Sequence, residues 1–366
     1  MKRLKILHSP AIVVNQQWVI SRAQRALGYK SDFMVFNADR QGLPVRNCDI
    51  NLHFDRKDIS FAPRKILPTL KFLARFSVFF LSSLFKYDVF HFHSESFFGS
   101  NSSLDLALLK LLRKKIVFQY WGCDIRLKTP SILSGEGDIC NGCIRVCNNF
   151  RKLKDNLTHL RYADFRVYGG ADIIRMVPDA VFIPIAIDLD YWRPVPEKDI
   201  PKECLISKSG NVIVLQAFEN AGPRGDLKGT RYIKNAIEEL KKEGLRVEHI
   251  FLEKVPYDRM RYYYQQADIV IDQLLSGSHG SVAMEAMALS KPVICYLSED
   301  VLKSLPQDHP IVNADRHTVT EKLRMLVKDK VLRDELGKRG RRYVEDRHEA
   351  VKLAKKYIEL YEKDRR

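Results

Sequence analysis

Short, almost continuous apolar runs alternate along this chain with longer stretches whose apolar positions recur every three or four residues. In the first half, Leu4–Ser9, Ser31–Phe36, Asp88–His93, Lys115–Trp121, Ala163–Gly169 and Ala180–Ile185 read as strands. Val19–Leu27, Arg64–Phe85 and Leu104–Leu112 carry helical spacing between them. Gly28 stops the first helix, and Pro68 fits only the first turn of the second, where a missing N–H is no loss. The second half repeats the rhythm. Asn211–Ala217, Val247–Leu252, Ala267–Gln273 and Pro292–Leu297 are strands; Thr230–Glu243, Tyr257–Gln266 and Ser281–Leu289 are helices. Strands that are apolar along their length are covered on both faces. The pattern therefore predicts an α/β protein of two Rossmann-like, doubly wound parallel sheets facing each other across a cleft.

The boundaries follow from where the rhythm breaks. Residues 1–193 form the first domain, with a polar, cysteine-bearing insertion over about 124–161. Residues 194–208, rich in proline and charge, are the linker. Residues 209–345 form the second domain, and 346–366 a closing helix expected to pack back on the first. Open α/β sheets bind ligands at the carboxyl ends of their strands, so both sets of strand ends should face the cleft.

Composition changes this picture in one respect. The 366 residues include 61 Lys and Arg against 45 Asp and Glu, a net charge of +16. An anionic partner is favoured: nucleotide diphosphate, lipid headgroup or glycan. No nucleic-acid-binding motif accompanies the charge, so no specific nucleic acid is expected. Met1–Lys5 leads into an apolar run that ends at Pro10, which reads as a first strand rather than a secretory segment. The apolar stretch Phe72–Phe85, interrupted by Arg75, reads as too short to span a bilayer. The expectation is a cytoplasmic protein, working at the inner face of the membrane.

Candidate chemistry concentrates in the second half. In AFENAGPRGDLKGT (217–230), Gly222, Gly225 and Gly229 permit tight turning, and Arg224 and Lys228 set two cations beside a helix start. Free amides, a helix dipole and fixed cations make a diphosphate site; a solvated loop is the alternative. In GSHGSVAMEAMALSKPVI (277–294), Gly280, Ser281 and Val282 begin a helix, and Glu285 lies one turn inside it among apolar residues. A carboxylate there suits a pair of neighbouring hydroxyls, such as those of a ribose.

These segments, with VLQAF, ADIVIDQLL and IPIAIDLDYWRP, resemble the donor half of retaining glycosyltransferases of the GT-B fold, in the family 4 or group 1 type. Leu332–Tyr361 resembles that family's closing helices, and DVFHFH and Trp121–Arg126 its acceptor half. The resemblance implies transfer of a sugar from a UDP- or GDP-sugar to a glycan, lipid-linked or small-molecule acceptor, with retention and without a catalytic cofactor. It implies that Glu285 holds the donor ribose and that Arg224 and Lys228 neutralise the departing diphosphate. Gly229, Gly280, Ser281 and Val282 would line the donor. Gly277 stands where the family carries a sugar-contacting glutamate, with Asp272 and His279 as substitutes. Acceptor-side and catalytic candidates are His91, His93, Trp121, Gly122, Asp124 and Arg126. Trp121 occupies a position where family members often carry histidine. His91 and His93 share one strand face, where a structural role is as open as a catalytic one. Asp124 and Arg126 also suit pairing with each other.

Two features stand apart. Cys140, Cys143 and Cys147, with Cys123 as the fourth ligand and Asp138 or His159 as alternates, suit a structural zinc or an iron–sulfur cluster; free thiols are the other reading. Arg64, Lys65, Lys71, Arg75 and Lys86 flank a Phe/Leu-rich helix that suits either an anionic membrane or the core. Two rival functions remain at this stage: a sugar-nucleotide epimerase on the same fold, and a non-catalytic nucleotide-sugar-binding member.

Overall fold

A computed structural model describes residues 3–11, 13, 15–38, 48–54, 59–60, 62–99, 102–127, 147–207, 209–218, 226 and 228–363. In its first half the elements are β1 (Lys5–Pro10), α1 (Gln16–Ala26), β2 (Lys30–Val35), β3 (Ile50–Asn51), α2 (Ile66–Lys86), β4 (Val89–His93), α3 (Leu104–Leu111), β5 (Lys115–Tyr120), α4 (Asn149–Tyr162), β6 (Phe165–Tyr168) and β7 (Val181–Phe182). All seven strands are parallel, in the order β3-β2-β1-β4-β5-β6-β7. The continuous apolar strands explain this. Phe90 and Phe92 of β4 and Phe118 of β5 pack on one face with Phe72, Phe76 and Phe80 of α2 and Leu106 and Leu109 of α3. Val89, Val117 and Val167 point to the opposite face.

The second half carries β8 (Val212–Phe218), α5 (Thr230–Lys242), β9 (Val247–Glu253), α6 (Tyr257–Gln266), β10 (Ile269–Ile271), α7 (Ser281–Ala288), β11 (Val293–Cys295), α8 (Glu299–Ser304), β12 (Val312–Asn313), α9 (Val319–Lys328), α10 (Lys330–Arg347) and α11 (Ala350–Glu362). Its five strands are also parallel, ordered β12-β11-β10-β8-β9. The sheet reverses its winding direction between β8 and β10, which is where an open α/β sheet leaves a crevice for a ligand. The chain then returns. Leu353, Ala354, Tyr357 and Tyr361 of α11 are buried with Ile6 of β1 and Val19, Ile20 and Ala23 of α1. A backbone bridge joins Ile187 to Glu349 at the crossing.

Two elements depart from the sequence reading. The polar insertion contains α4, whose only buried residue is His159. Its apolar positions have helical spacing, but they do not enter the core. And α2 forms over the expected span but, at 21 residues, is long and apolar enough to cross a membrane by length and composition, where the apolar stretch 72–85 read as too short. It nonetheless lies flat on the sheet, because Phe72, Phe76 and Phe80 form part of the core.

Candidate active site

Lys228, just ahead of α5, and the segment that follows β10 meet at the crevice. Lys228 Nζ and Asp272 Oδ1 lie 2.8 Å apart, with the Lys228 side chain 14% exposed and Asp272 fully buried. The second oxygen of Asp272 accepts the Gly280 N–H at 2.6 Å, just ahead of α7. One buried carboxylate thus fixes a cation and the start of a helix relative to each other. A side chain at 280 would crowd it, since a Cβ there would sit 3.1 Å from Asp272 Oδ2. The first-turn amides of α7, including those of Ser281 and Val282, have no intrahelical acceptor and give this end of the helix its positive potential.

Glu285 lies one turn further on and is only 5% exposed. Burial, reinforced by the negative charge of Asp272 and opposed by Lys228, pushes its carboxyl up to about 8. Tyr257 and Tyr264 stand close enough for the Glu285 charge to raise their hydroxyls further, beyond what burial does. Tyr257 also accepts the Trp192 indole N–H at 3.1 Å and bonds the Asn15 side chain of the first domain. Asn15 sits in the left-handed region, φ 61°, at the start of α1. Neither Asn15 nor Tyr257 was legible as a site residue. The signal was present only as an asparagine between a strand and a helix, and as a tyrosine opening a helix after Pro256.

Several expectations are corrected here. Asp226 caps α5 by accepting the Thr230 and Arg231 N–H groups at 2.6 and 3.0 Å, so those amides are not open to a diphosphate. The free amides are those of α7. Arg224 lies outside the described residues. Gly229 takes φ 78° at the start of α5. Gly277 takes φ 71°, and a Cβ there would lie 3.1 Å from that of Ser298, so the backbone at this position disfavours the glutamate of the family pattern. Asp272 is an internal anchor whose two oxygens are already engaged by Lys228 and Gly280. His279 is partly buried. Its Nδ1 has no partner among the described residues, and its ring lies 5.9 Å from that of His348.

The first-domain candidates fall into three groups. His91 and His93 are buried beneath Trp121 and α11, not exposed to the cleft. The Trp121 indole N–H points at His93 Nδ1, 3.3 Å away. His93 Nε2 is therefore the protonated nitrogen and donates to His8 Nδ1 at 3.1 Å, and His8 Nε2 donates to Gln24 Oε1 at 2.9 Å. His91 Nδ1 meets the Tyr361 hydroxyl at 2.6 Å. Burial, with like neighbours, holds both His91 and His93 well below the usual histidine range. The ring nitrogens of His8, His91 and His93 gather within 4.8 Å. The tautomer set by Trp121 aims a proton, not a lone pair, into the cluster, so this is a hydrogen-bonded cluster rather than a metal centre.

Asp124, expected to be catalytic, is a loop staple. It accepts the backbone N–H groups of Trp121, Gly122 and Ile125 and the Ser94 hydroxyl, at 2.7 to 3.2 Å. Arg126 pairs with Asp172 rather than Asp124, and its side chain is 8% exposed, so it is not available to an acceptor. Gly122 takes φ 138°, and a Cβ there would approach the Arg126 guanidinium at 3.1 Å. Trp121 remains half-exposed, stacked on His93 and against Gly169. It is partly exposed where His91, His93 and Arg126 are buried. Among the proposed metal ligands, Cys123 is exposed and Cys147 half-buried; Cys140, Cys143 and Asp138 lie outside the described residues. His159 is no alternate, since it stacks on Phe118 with ring centroids 3.7 Å apart and bonds the Tyr120 hydroxyl.

Two parallel doubly wound domains, with an anchored lysine, helix amides and a buried carboxylate at the crevice of the second, have the GT-B architecture. Residues 225–343 match the family described as glycosyl transferases group 1. The match lies in the second half of the chain, so residues 225–343 carry a domain of the glycosyl transferases group 1 type. Similar solved structures include the catalytic domain of starch synthase IV from Arabidopsis thaliana bound to ADP and acarbose (TM-score 0.65, 12% identity, 98% of this chain and 99% of that one). The sucrose-phosphate synthase of Thermosynechococcus elongatus has a TM-score of 0.62 at 15% identity, with 98% of each chain covered. HepE of Anabaena in complex with UDP-glucose has a TM-score of 0.57 at 15% identity, covering 98% of this chain and 99% of that one. UDP-N-acetylglucosamine 2-epimerases share the fold as well. No curated protein matches the sequence.

Proposed function

We propose that the chain transfers a sugar from a UDP- or GDP-sugar, with retention of configuration, to an acceptor hydroxyl held by residues 1–193. The observation that carries this reading is the Lys228–Asp272–Gly280 linkage beside the buried Glu285. Lys228 and the α7 amides face the diphosphate, and Glu285 accepts from the two ribose hydroxyls. As the glycosidic bond breaks, charge grows on the leaving diphosphate and an oxocarbenium-like centre forms on the sugar. A preorganised cation and unpaired amides stabilise that charge without reorganising at the moment of reaction. Asp272 holds Lys228 in place before the donor arrives. The acceptor hydroxyl attacks from the side the diphosphate leaves, and no covalent nucleophile is required. Trp121, supported from behind by His93, offers its ring to the acceptor. In this reading 209–345 is the donor domain, 194–208 the linker and 346–366 the clasp. The reaction belongs in the cytoplasm.

The test is a thermal-shift panel of nucleotide sugars, beginning with uridine and guanosine diphosphate sugars. A specific donor raises the melting temperature as the logarithm of its concentration above the Kd, and turnover with an acceptor yields a product of unchanged anomeric configuration. Failure of every nucleotide sugar to stabilise the protein overturns the reading. The presence of epimerases on the same fold gives the second reading, for which an isomerised donor sugar formed without acceptor is the mark.

A further inference from the structure

The helices α2, α3 and α4 cover one face of the first sheet; α2 and α3 are apolar on both sides, and α4 turns its apolar stripe outward while His159 packs on Phe118. Their inner residues are accounted for: Phe76 and Phe80 of α2 and Leu109 of α3 fill the core. Their outer residues are not. On α2, Val78 is 70% and Phe85 83% exposed, with Leu67 and Leu81 also exposed. On α3, Leu104 and Leu111 point outward at 71% and 78%. On α4, Phe150, Leu153, Leu157 and Leu160 recur at spacings of three and four and are all exposed, Phe150 at 79%. Scattered exposed leucines are ordinary, but an outward stripe on each of three helices covering one sheet face is an interaction surface.

Its charge selects the partner. Lys71 and Arg75 of α2, Arg113 just after α3, and Arg151, Lys154 and Arg161 of α4 are exposed on these elements. The carboxylates on the same helices are Asp105, which is fully buried, and Asp155, which is half-buried and lies 3.9 Å from Arg151. The face therefore offers apolar side chains among cations with no exposed carboxylate on its three helices. A second copy docked by two-fold symmetry would set these cations against their own kind. A bilayer with anionic headgroups matches both properties: acyl chains for the leucines and phenylalanines, phosphates for the lysines and arginines.

We propose that this face docks the protein on anionic lipid bilayers as a peripheral, non-spanning surface. The docking is independent of the transfer reaction. α2 and α4 each precede a strand that they oppose in direction, so their first turns lie at the level of the strand carboxyl ends. Docking then brings the mouth of the cleft beside the headgroups.

The test is sedimentation of the full chain with vesicles of phosphatidylglycerol and phosphatidylcholine, against phosphatidylcholine alone. The chain should pellet with the anionic vesicles, be released by salt and ignore the zwitterionic ones. Val78→Glu with Leu157→Glu, and separately Lys71→Glu with Arg75→Glu, should each weaken partitioning by about tenfold or more. Hydrogen exchange on the unaltered chain supplies a readout free of folding concerns, with vesicles protecting α2 and α4. Equal binding to both vesicle types, variants that bind like the parent, or unchanged exchange in α2 and α4 each overturn the proposal. So does a lipid-free dimer that Val78→Glu with Leu157→Glu converts to monomer without any vesicle binding.

Discussion

Glu285→Gln separates the energetic burden of the buried carboxylate from its use. In the empty protein the carboxyl is raised from 4.5 to about 8, chiefly by burial and next by Asp272. The folded state therefore prefers the protonated form. The sign follows: this group's favourable contribution is fully present below pH 4.5 and is lost as pH rises to about 8. At about 1.4 kcal/mol per unit, the interval sets a ceiling of about 5 kcal/mol by which Glu285→Gln stabilises the empty protein above pH 8. Below pH 4.5 the two proteins should melt alike. Ribose hydroxyls donate to the ionised carboxylate, so a bound donor pulls its pKa back down. Nucleotide affinity should consequently rise with pH until about 8 and then level off, and binding should release a proton. Thermal melts across pH, and calorimetric titrations of nucleotide in buffers of differing ionisation enthalpy, measure both effects. PH-independent affinity with no proton release, together with identical melting of Glu285→Gln and the parent in mild alkali, would refute the assignment of Glu285 to the ribose.

Two further expectations follow from contacts in each domain. Lys228→Met leaves Asp272 buried with only the Gly280 N–H and should destabilise the fold by about 3–5 kcal/mol; adding Asp272→Asn should recover much of the melting temperature but none of the turnover, as read by denaturation beside initial rates. Gly169→Ala places a Cβ 2.7 Å from the Trp121 ring and should cost about 1–3 kcal/mol of stability, raising the acceptor KM in steady-state assays while the donor KM stays put.

The architecture was written in the chain because burial on both faces demands it. A parallel strand with no solvent-facing side must be apolar throughout, and Ile213–Leu215 and Ile269–Ile271 are completely buried for that reason. Helix termini were legible through the residues that backbone geometry requires, so Tyr257–Gln266 begins and ends where its sequence indicates. Lys228, Gly280 and Glu285 could be placed together because the loops after neighbouring parallel strands emerge at one edge.

What the chain could not disclose were partners chosen across large separations. The histidines of β4 left a structural and a catalytic role equally open, and what decides it is Tyr361, which covers His91 from 270 positions away. Arg126 had an adjacent candidate in Asp124 and took Asp172 instead, 46 positions away, while Asp124 turned inward to satisfy its own loop's amides. Asp226 caps α5 through the Thr230 and Arg231 N–H groups, a contact no motif announced. Periodicity reports that one side of a helix is apolar and says nothing of what lies against it. The same spacing therefore describes the buried stripe of α11 and the exposed stripe of α4, and the packing of the two domains decided which was which.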